Sequence, residues 1–161
     1  MTGQTKNSHE QSDKPVILVV DDNQQNRELI QVYLEDMDCR TVPAQDGLEA
    51  LELIRKDPPD LILLDVMMPK MSGFEVCKRL KDNPQTADIP VIMVTALSEF
   101  GDIERAIDSG TDDFLSKPVN KLELLTRIKT MLKLKHLTDK LERTLAYLSE
   151  IEKQAQTAKS N

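Results

Sequence analysis

Five short runs rich in Val, Ile and Leu, separated by amphipathic stretches, constrain the fold of this chain more than any other feature. They are Val16-Ile17-Leu18-Val19-Val20, Arg40-Thr41-Val42, Leu61-Ile62-Leu63-Leu64, Val91-Ile92-Met93-Val94 and Asp113-Phe114-Leu115. The central runs are apolar at nearly every position. A strand with one wet face alternates polar and apolar residues; a continuous apolar run belongs to a strand covered on both faces. The stretches between the runs carry helix signals over 23–35, 46–55, 72–81 and 98–108, with a last helix opening at Asn120. Asp46 and Ser72 are placed as N-caps and Gly110 as a C-terminal cap. Strand and helix alternate five times, so the expected architecture is α/β, a (βα)₅ parallel sheet sandwiched by helices. In such open sheets ligands bind beyond the carboxyl ends of the strands.

Both ends of the chain depart from this rhythm. Residues 1–14 contain no aliphatic residue after Met1, so they cannot offset the entropy of ordering and are expected to be a disordered tail. At the other end, no Pro or Gly occurs from Asn120 to Asn161, and helix formers dominate to Ala158. A helix of that length extends about 58 Å, longer than a face of the sheet, so its second half must project. With Leu134 as position a, a heptad series runs through Leu134, Leu141, Leu148 and Ala155, with Leu137, Thr144, Ile151 and Ala158 at d and Leu145 beside the seam. The domain organisation read from this is a tail over 1–14, a domain over 15–133 and a helical extension over 134–161. Self-association into a homodimer through that extension is expected. Its alternatives are a helix folding back on its own domain or fraying after Leu148.

Composition narrows the class of function. The 161 residues suit one domain plus an appendage. Residues 1–116 carry 11 Lys and Arg against 23 Asp and Glu, a net of −12, whereas 117–161 carry 10 against 5, a net of +5. An acidic body with three Phe, two Tyr and no Trp is a poor phosphate-backbone binder, so no direct nucleic-acid contact is expected. The +5 extension is most simply a solvated helix face, with an acidic partner or the chain's own acidic body as the sharper reading. Cys39 and Cys77 stand far apart with no C-x-x-C, which points to free thiols in a reducing compartment. No apolar run approaches the roughly 20 residues of a membrane span, and Met1–Lys14 lacks the apolar centre of a signal peptide. A cytoplasmic protein without a membrane partner is the resulting expectation.

The chemistry lies at the strand ends. The first strand delivers Asp21 and Asp22, and the third delivers Asp65, to the same edge of the sheet. Three carboxylates there either retain protons or recruit a hard cation, and oxygen ligands with room for water suit Mg²⁺. An Asp-Asp pair alone is more often a helix cap, but the third Asp favours the metal. The fourth strand ends at Thr95-Ala96 and the fifth runs into Lys117-Pro118. Taken singly, Lys117 is a surface lysine and Thr95 a strand residue. Together with Asp65 and a cation they form a set able to stabilise an acyl phosphate on Asp65.

These residues resemble the receiver domain of two-component response regulators. The resemblance is carried by Val19-Val20-Asp21-Asp22-Asn23, Leu64-Asp65-Val66-Met67-Met68-Pro69 with Gly73, Val94-Thr95-Ala96, and Gly110 through Pro118, in order and spacing, over about residues 15–133. It implies a flavodoxin-like strand order 2-1-3-4-5. It implies Asp65 as phosphoacceptor from a sensor histidine kinase or phosphotransfer protein, and Asp21, Asp22 and Asp65 with the Met67 carbonyl as the Mg²⁺ ligands. Thr95, Ala96 and Lys117 are the implied phosphate-binding groups, with Thr95 and Lys117 aiding the transfer. Thr95 and Phe114 are the implied switch pair, although Phe114 also reads as a core ring. The Lys117-Pro118 peptide is commonly cis in this family. Apolar Met67 and Leu97 flank the site where polar residues place a hydrolytic water, so autodephosphorylation is expected to be slow.

The implied protein is a signalling switch and not an enzyme acting on other substrates. Only 28 residues follow Lys133, no room for a winged helix or a cyclase, so either an output domain lies beyond this sequence or the receiver surface and stalk act alone. Two alternatives compete with the switch. A coiled-coil scaffold with a non-switching receiver would keep its output without Asp65. A haloacid-dehalogenase-type phosphatase needs its nucleophile in a D-x-D on the first strand and an acidic pair late in the chain, the reverse of the order here.

Overall fold

The computed structural model describes residues 14–96 and 100–160. Its elements alternate as β1 (Val16–Val20), α1 (Gln24–Leu34), β2 (Arg40–Ala44), α2 (Gly47–Lys56), β3 (Leu61–Leu64), α3 (Gly73–Asp82), β4 (Val91–Thr95), α4 (Phe100–Asp108), β5 (Asp113–Ser116) and α5 (Lys121–Lys159). The five strands pair in parallel in the order β2-β1-β3-β4-β5, as the resemblance implies.

The helix boundaries follow the capping residues. Asn23, Asp46, Ser72 and Asn120 each accept a hydrogen bond from the backbone N–H three residues on, which fixes the first turns of α1, α2, α3 and α5. Asn23 is thus a cap outside α1 and not its first helical residue. Gly110 ends α4 with φ at +87°, and the Gly110 and Thr111 N–H groups turn back to the carbonyls of Ile107 and Ala106. That is a Schellman ending, and its left-handed position suits glycine. β2 continues past Val42 to Ala44 through Pro43, which an edge strand tolerates. Ser98, where the sequence opens α4, and the tail 1–13 lie outside the described residues, whereas Lys14 is placed with its ammonium 3.1 Å from Asp38.

Alternate residues of each strand feed two cores. Leu18, Val20, Ile62, Leu64, Val91 and Met93 point to the side covered by α2, α3 and α4, where Ala50, Ile54, Val76, Leu80 and Ala106 meet them. Ile17, Val19, Leu61, Leu63, Ile92 and Val94 point to the other side, against Ile30 and Leu34 of α1 and Leu124 and Ile128 of α5. This double cover is the reason the central strands lack polar alternation. Cys77 is buried in the first core and Cys39 is partly buried, both as free thiols. No described helix is long and apolar enough to cross a membrane.

α5 is one helix of 39 residues, about 58 Å long. It neither folds back nor stops at Leu148. Only Leu124 and Ile128 are fully buried, and every residue from Lys140 to Ser160 is exposed. Gly73, at the start of α3, sits where the chain leaves β3. A Cβ there would lie 2.2 Å from the Asp65 carbonyl oxygen and 2.9 Å from Val66 Cα, contacts that only a shift of backbone relieves.

Replacing Gly73 with Ala is expected to cost about 3 kcal/mol in denaturant unfolding, because the clash is with backbone. Ile128→Ala is expected to cost about 3 kcal/mol, whereas Leu122→Ala on the exposed side of the same helix changes stability by no more than about 0.5 kcal/mol. Equal losses at both α5 positions would contradict the packing described.

Candidate functional site

The register of the sheet assembles the site. Val20 of β1 is paired with Leu64 of β3, and the Asp65 N–H donates to the Val20 carbonyl at 2.9 Å, so Asp21 and Asp65 leave neighbouring strands side by side. Thr95 closes β4 opposite Ser116 of β5, and the Lys117 N–H donates to the Thr95 carbonyl at 2.9 Å. Asp21, Asp65, Thr95 and Lys117 therefore come from four strand ends on one edge, around the β1/β3 switch point.

The carboxylates are crowded and largely shielded from water. Asp21 and Asp65 are 2% and 5% exposed, whereas Asp22 is open to solvent. Carboxylate oxygens of all three lie within 4.8 Å of one another. Asp21 is held at both oxygens, accepting from the Asn23 N–H at 2.9 Å and from Lys117 Nζ at 3.0 Å. Since Asn23 caps α1, neither Asp is spent on that task.

Lys117 also reaches Asp65, with Nζ 3.4 Å from Oδ1. Burial pushes the Asp65 carboxyl above the usual carboxylate range, and Asp21 pushes it further, while Lys117 and the Met67 N–H act in the opposite sense. Burial works against charge on Lys117 too, but its hydrogen bond to Asp21 and the field of both carboxylates outweigh burial and raise its pKa. The two directions agree. One ammonium faces two buried carboxylates, so the positive charge against them falls short of the negative.

The remaining predicted residues are placed as follows. Thr95 is 1% exposed, and its hydroxyl has no hydrogen-bond partner among the described residues. An unpaired buried hydroxyl costs about 1–3 kcal/mol, which makes it a conspicuous group at a ligand edge. Ala96 is exposed beside it. The Met67 side chain is 75% exposed. Phe114, in register with Met93, is half-buried and packs against the core beneath α2, α3 and α4. The Lys117-Pro118 peptide is cis. Leu97 lies outside the described residues.

Some supporting residues had no signal in the sequence. Arg27 of α1 donates from Nη1 to the Asp21 carbonyl at 2.7 Å, tying the acidic loop to the helix after it. Arg127 of α5 holds both oxygens of Asp113 at 2.7 and 2.9 Å, which fixes the start of β5 against α5. Gly73 was legible as part of a motif, but its close approach to the Asp65 carbonyl was not.

Comparison with known proteins agrees with this geometry. The profile of the response regulator receiver domain matches residues 17–129. The chain is 44% identical over 125 residues to the response regulator PleD of Caulobacter vibrioides, covering 78% of this chain and 28% of PleD. It is 40% identical over 116 residues to the polar-differentiation response regulator DivK of Brucella anthropi, covering 72% of this chain and 94% of DivK. Among solved structures, a signal receiver domain of a histidine kinase from Syntrophus aciditrophicus superposes with a TM-score of 0.71 at 36% identity, over 74% of this chain and 90% of that one. A response regulator from Chloroflexus aurantiacus gives 0.72 at 31%, over 75% and 99%. The chain spans little more than a quarter of PleD but nearly all of DivK. With the fold, the strand-end residues and these relatives in agreement, the chain belongs to the response regulator receiver domain family of two-component signalling.

Proposed function

We propose that this protein is a phosphorylation-activated response regulator, which takes a phosphoryl group from a sensor histidine kinase or phosphotransfer protein onto Asp65. The observation that carries the reading is a buried carboxylate held by a lysine ammonium, with a buried hydroxyl that has no partner among the described residues at the same edge of the sheet. An Asp65 carboxylate oxygen attacks phosphorus as the bond to the donor breaks, forming an acyl phosphate. The product carries more charge than the carboxylate it replaces. Lys117 Nζ, poised on Asp21 and Asp65, is within reach of the new phosphoryl oxygens. The Thr95 hydroxyl, without a partner among the described residues, gains an acceptor, and the Ala96 N–H offers a second donor.

The donor set fits a divalent cation, since three carboxylates gather within 4.8 Å and one ammonium leaves their charge uncompensated. Asp21, Asp22 and Asp65, with the Met67 carbonyl, are the groups that would hold Mg²⁺. Magnesium supplies neutralisation of the phosphoryl oxygens when bound. Catalysis is confined to the protein's own Asp65, so the protein signals and does not turn over an external substrate.

The output reading follows from the same residues. Movement of the Thr95 hydroxyl toward the phosphoryl group vacates space near Phe114, which lies on the neighbouring strand. The change then spreads over the surface of α4, β5 and α5 and along the projecting helix. The domain proper is taken as 15–133 and the helical extension as 134–161. A cytoplasmic location suits exchange with a kinase.

Incubation with a small acyl-phosphate donor and Mg²⁺ is expected to give a single phosphoryl adduct by intact mass, absent in Asp65→Asn and after chelation of the metal. An adduct that survives Asp65→Asn would overturn the assignment. Thr95→Val is expected to raise the stability of the unmodified protein by about 1 kcal/mol, since it removes a buried hydroxyl with no partner among the described residues, while shortening the life of the adduct. Polar substitutions at both Met67 and Leu97 are expected to speed loss of the phosphoryl group. An unchanged lifetime would show that these positions do not set it.

A further inference from the structure

The apolar side of α5 changes at Leu134. Up to that point the helix turns Leu124, Leu125, Ile128, Met131 and Leu132 toward the sheet and α1. Lys135 and Asp139 continue that side of the helix and are its last partly covered residues, Lys135 donating to the Asp88 carbonyl at 3.4 Å. From Leu134 on, the apolar residues Leu134, Leu137, Leu141, Leu145, Leu148 and Ile151 are 43–59% exposed. At 100° per residue their mean direction lies roughly 150° round the helix from the side that packs on the receiver. A stripe on the far side cannot be reached by the chain's own domain.

We propose that this stripe is the seam of a dimer whose second strand is the same helix of another copy, formed whether or not Asp65 is phosphorylated. The a and d positions from Leu134 to Ala158 contain no charge, so identical copies meet without opposed like charges. The flanking Lys140, Leu145, Tyr147 and Glu152 likewise put no like charges opposite one another, with the helices parallel or antiparallel. The six exposed residues present apolar area on the order of 1,100 Å² over two copies, close to the threshold for a specific interface. From Leu137 onward the seam touches nothing in the receiver, so the receiver's state has no contact through which to forbid pairing. Because the domain-packing side is turned away from the seam, the two receivers sit on the outer flanks of the helix pair.

The inference stands apart from the phosphoacceptor reading, and the test separates them. Light scattering on the full chain, at about 100 µM to favour even a weak coil, is expected to give about 36 kDa, twice the 18.2 kDa chain. Leu141→Glu with Leu148→Glu is expected to give the single-chain mass with unchanged receiver unfolding by circular dichroism. Lys153→Glu, on the outer side of the helix, is expected to leave the dimer intact, and so is Asp65→Asn. A wild-type chain at the single-chain mass, a dimer that survives the double substitution, or pairing that requires an acyl-phosphate donor would each overturn the proposal.

Discussion

The repulsion between Asp21 and Asp65 organises the functional edge of this protein. A parallel sheet in register places these two carboxylates side by side beneath the surface, and nothing in the backbone pairing separates them. Lys117, brought from the far strand, is the charge that makes the arrangement tenable in the unmodified protein. It is one cation for two buried anions, and the raised carboxyl of Asp65 reflects the shortfall. Three clustered carboxylates short of positive charge form a donor set that could hold a metal ion. The raised carboxyl of Asp65 and the clustering of oxygen donors have the same origin.

The opposite edge of the sheet is built on the contrary principle. Lys81 of α3 donates to the carbonyls of Ala87 and Ile89 and to the Asp112 carboxylate, at 3.1, 2.8 and 2.8 Å. Asp112 in turn accepts the Val91 N–H at 2.7 Å. One ammonium there satisfies several acceptors around the entrances to β4 and β5. Those strands are pinned where they begin, while the Thr95 hydroxyl at the exit of β4 has no described partner.

Much of this was legible in the residues. The buried strands announced themselves through uninterrupted Val, Ile and Leu, and three helix starts through Asp46, Ser72 and Asn120. Strand-end Asp, Thr and Lys identified the chemical edge because a parallel sheet carries all its carboxyl ends the same way. What escaped were contacts whose partners are remote and whose spacing has no period. Arg27 on the Asp21 carbonyl is one, and Arg127 Nη1 on both oxygens of Asp113 is another. The extension of β2 through Pro43 escaped for a different reason, since proline's usual cost in a strand is relaxed only once the strand is known to be at the edge.

The continuity of α5 has a mechanical consequence. Residues 140–159 extend about 30 Å beyond the last contact with the receiver, without a glycine or proline to absorb bending. A tilt of about 5° at the base, where Leu124 and Ile128 seat the helix on the sheet, displaces the far end of the helix by about 4 Å, on the order of a side-chain width. The helix is therefore a lever whose fulcrum lies in the same core that carries β4 and β5. Sub-ångström repacking beneath it becomes a displacement of several ångströms at the far end.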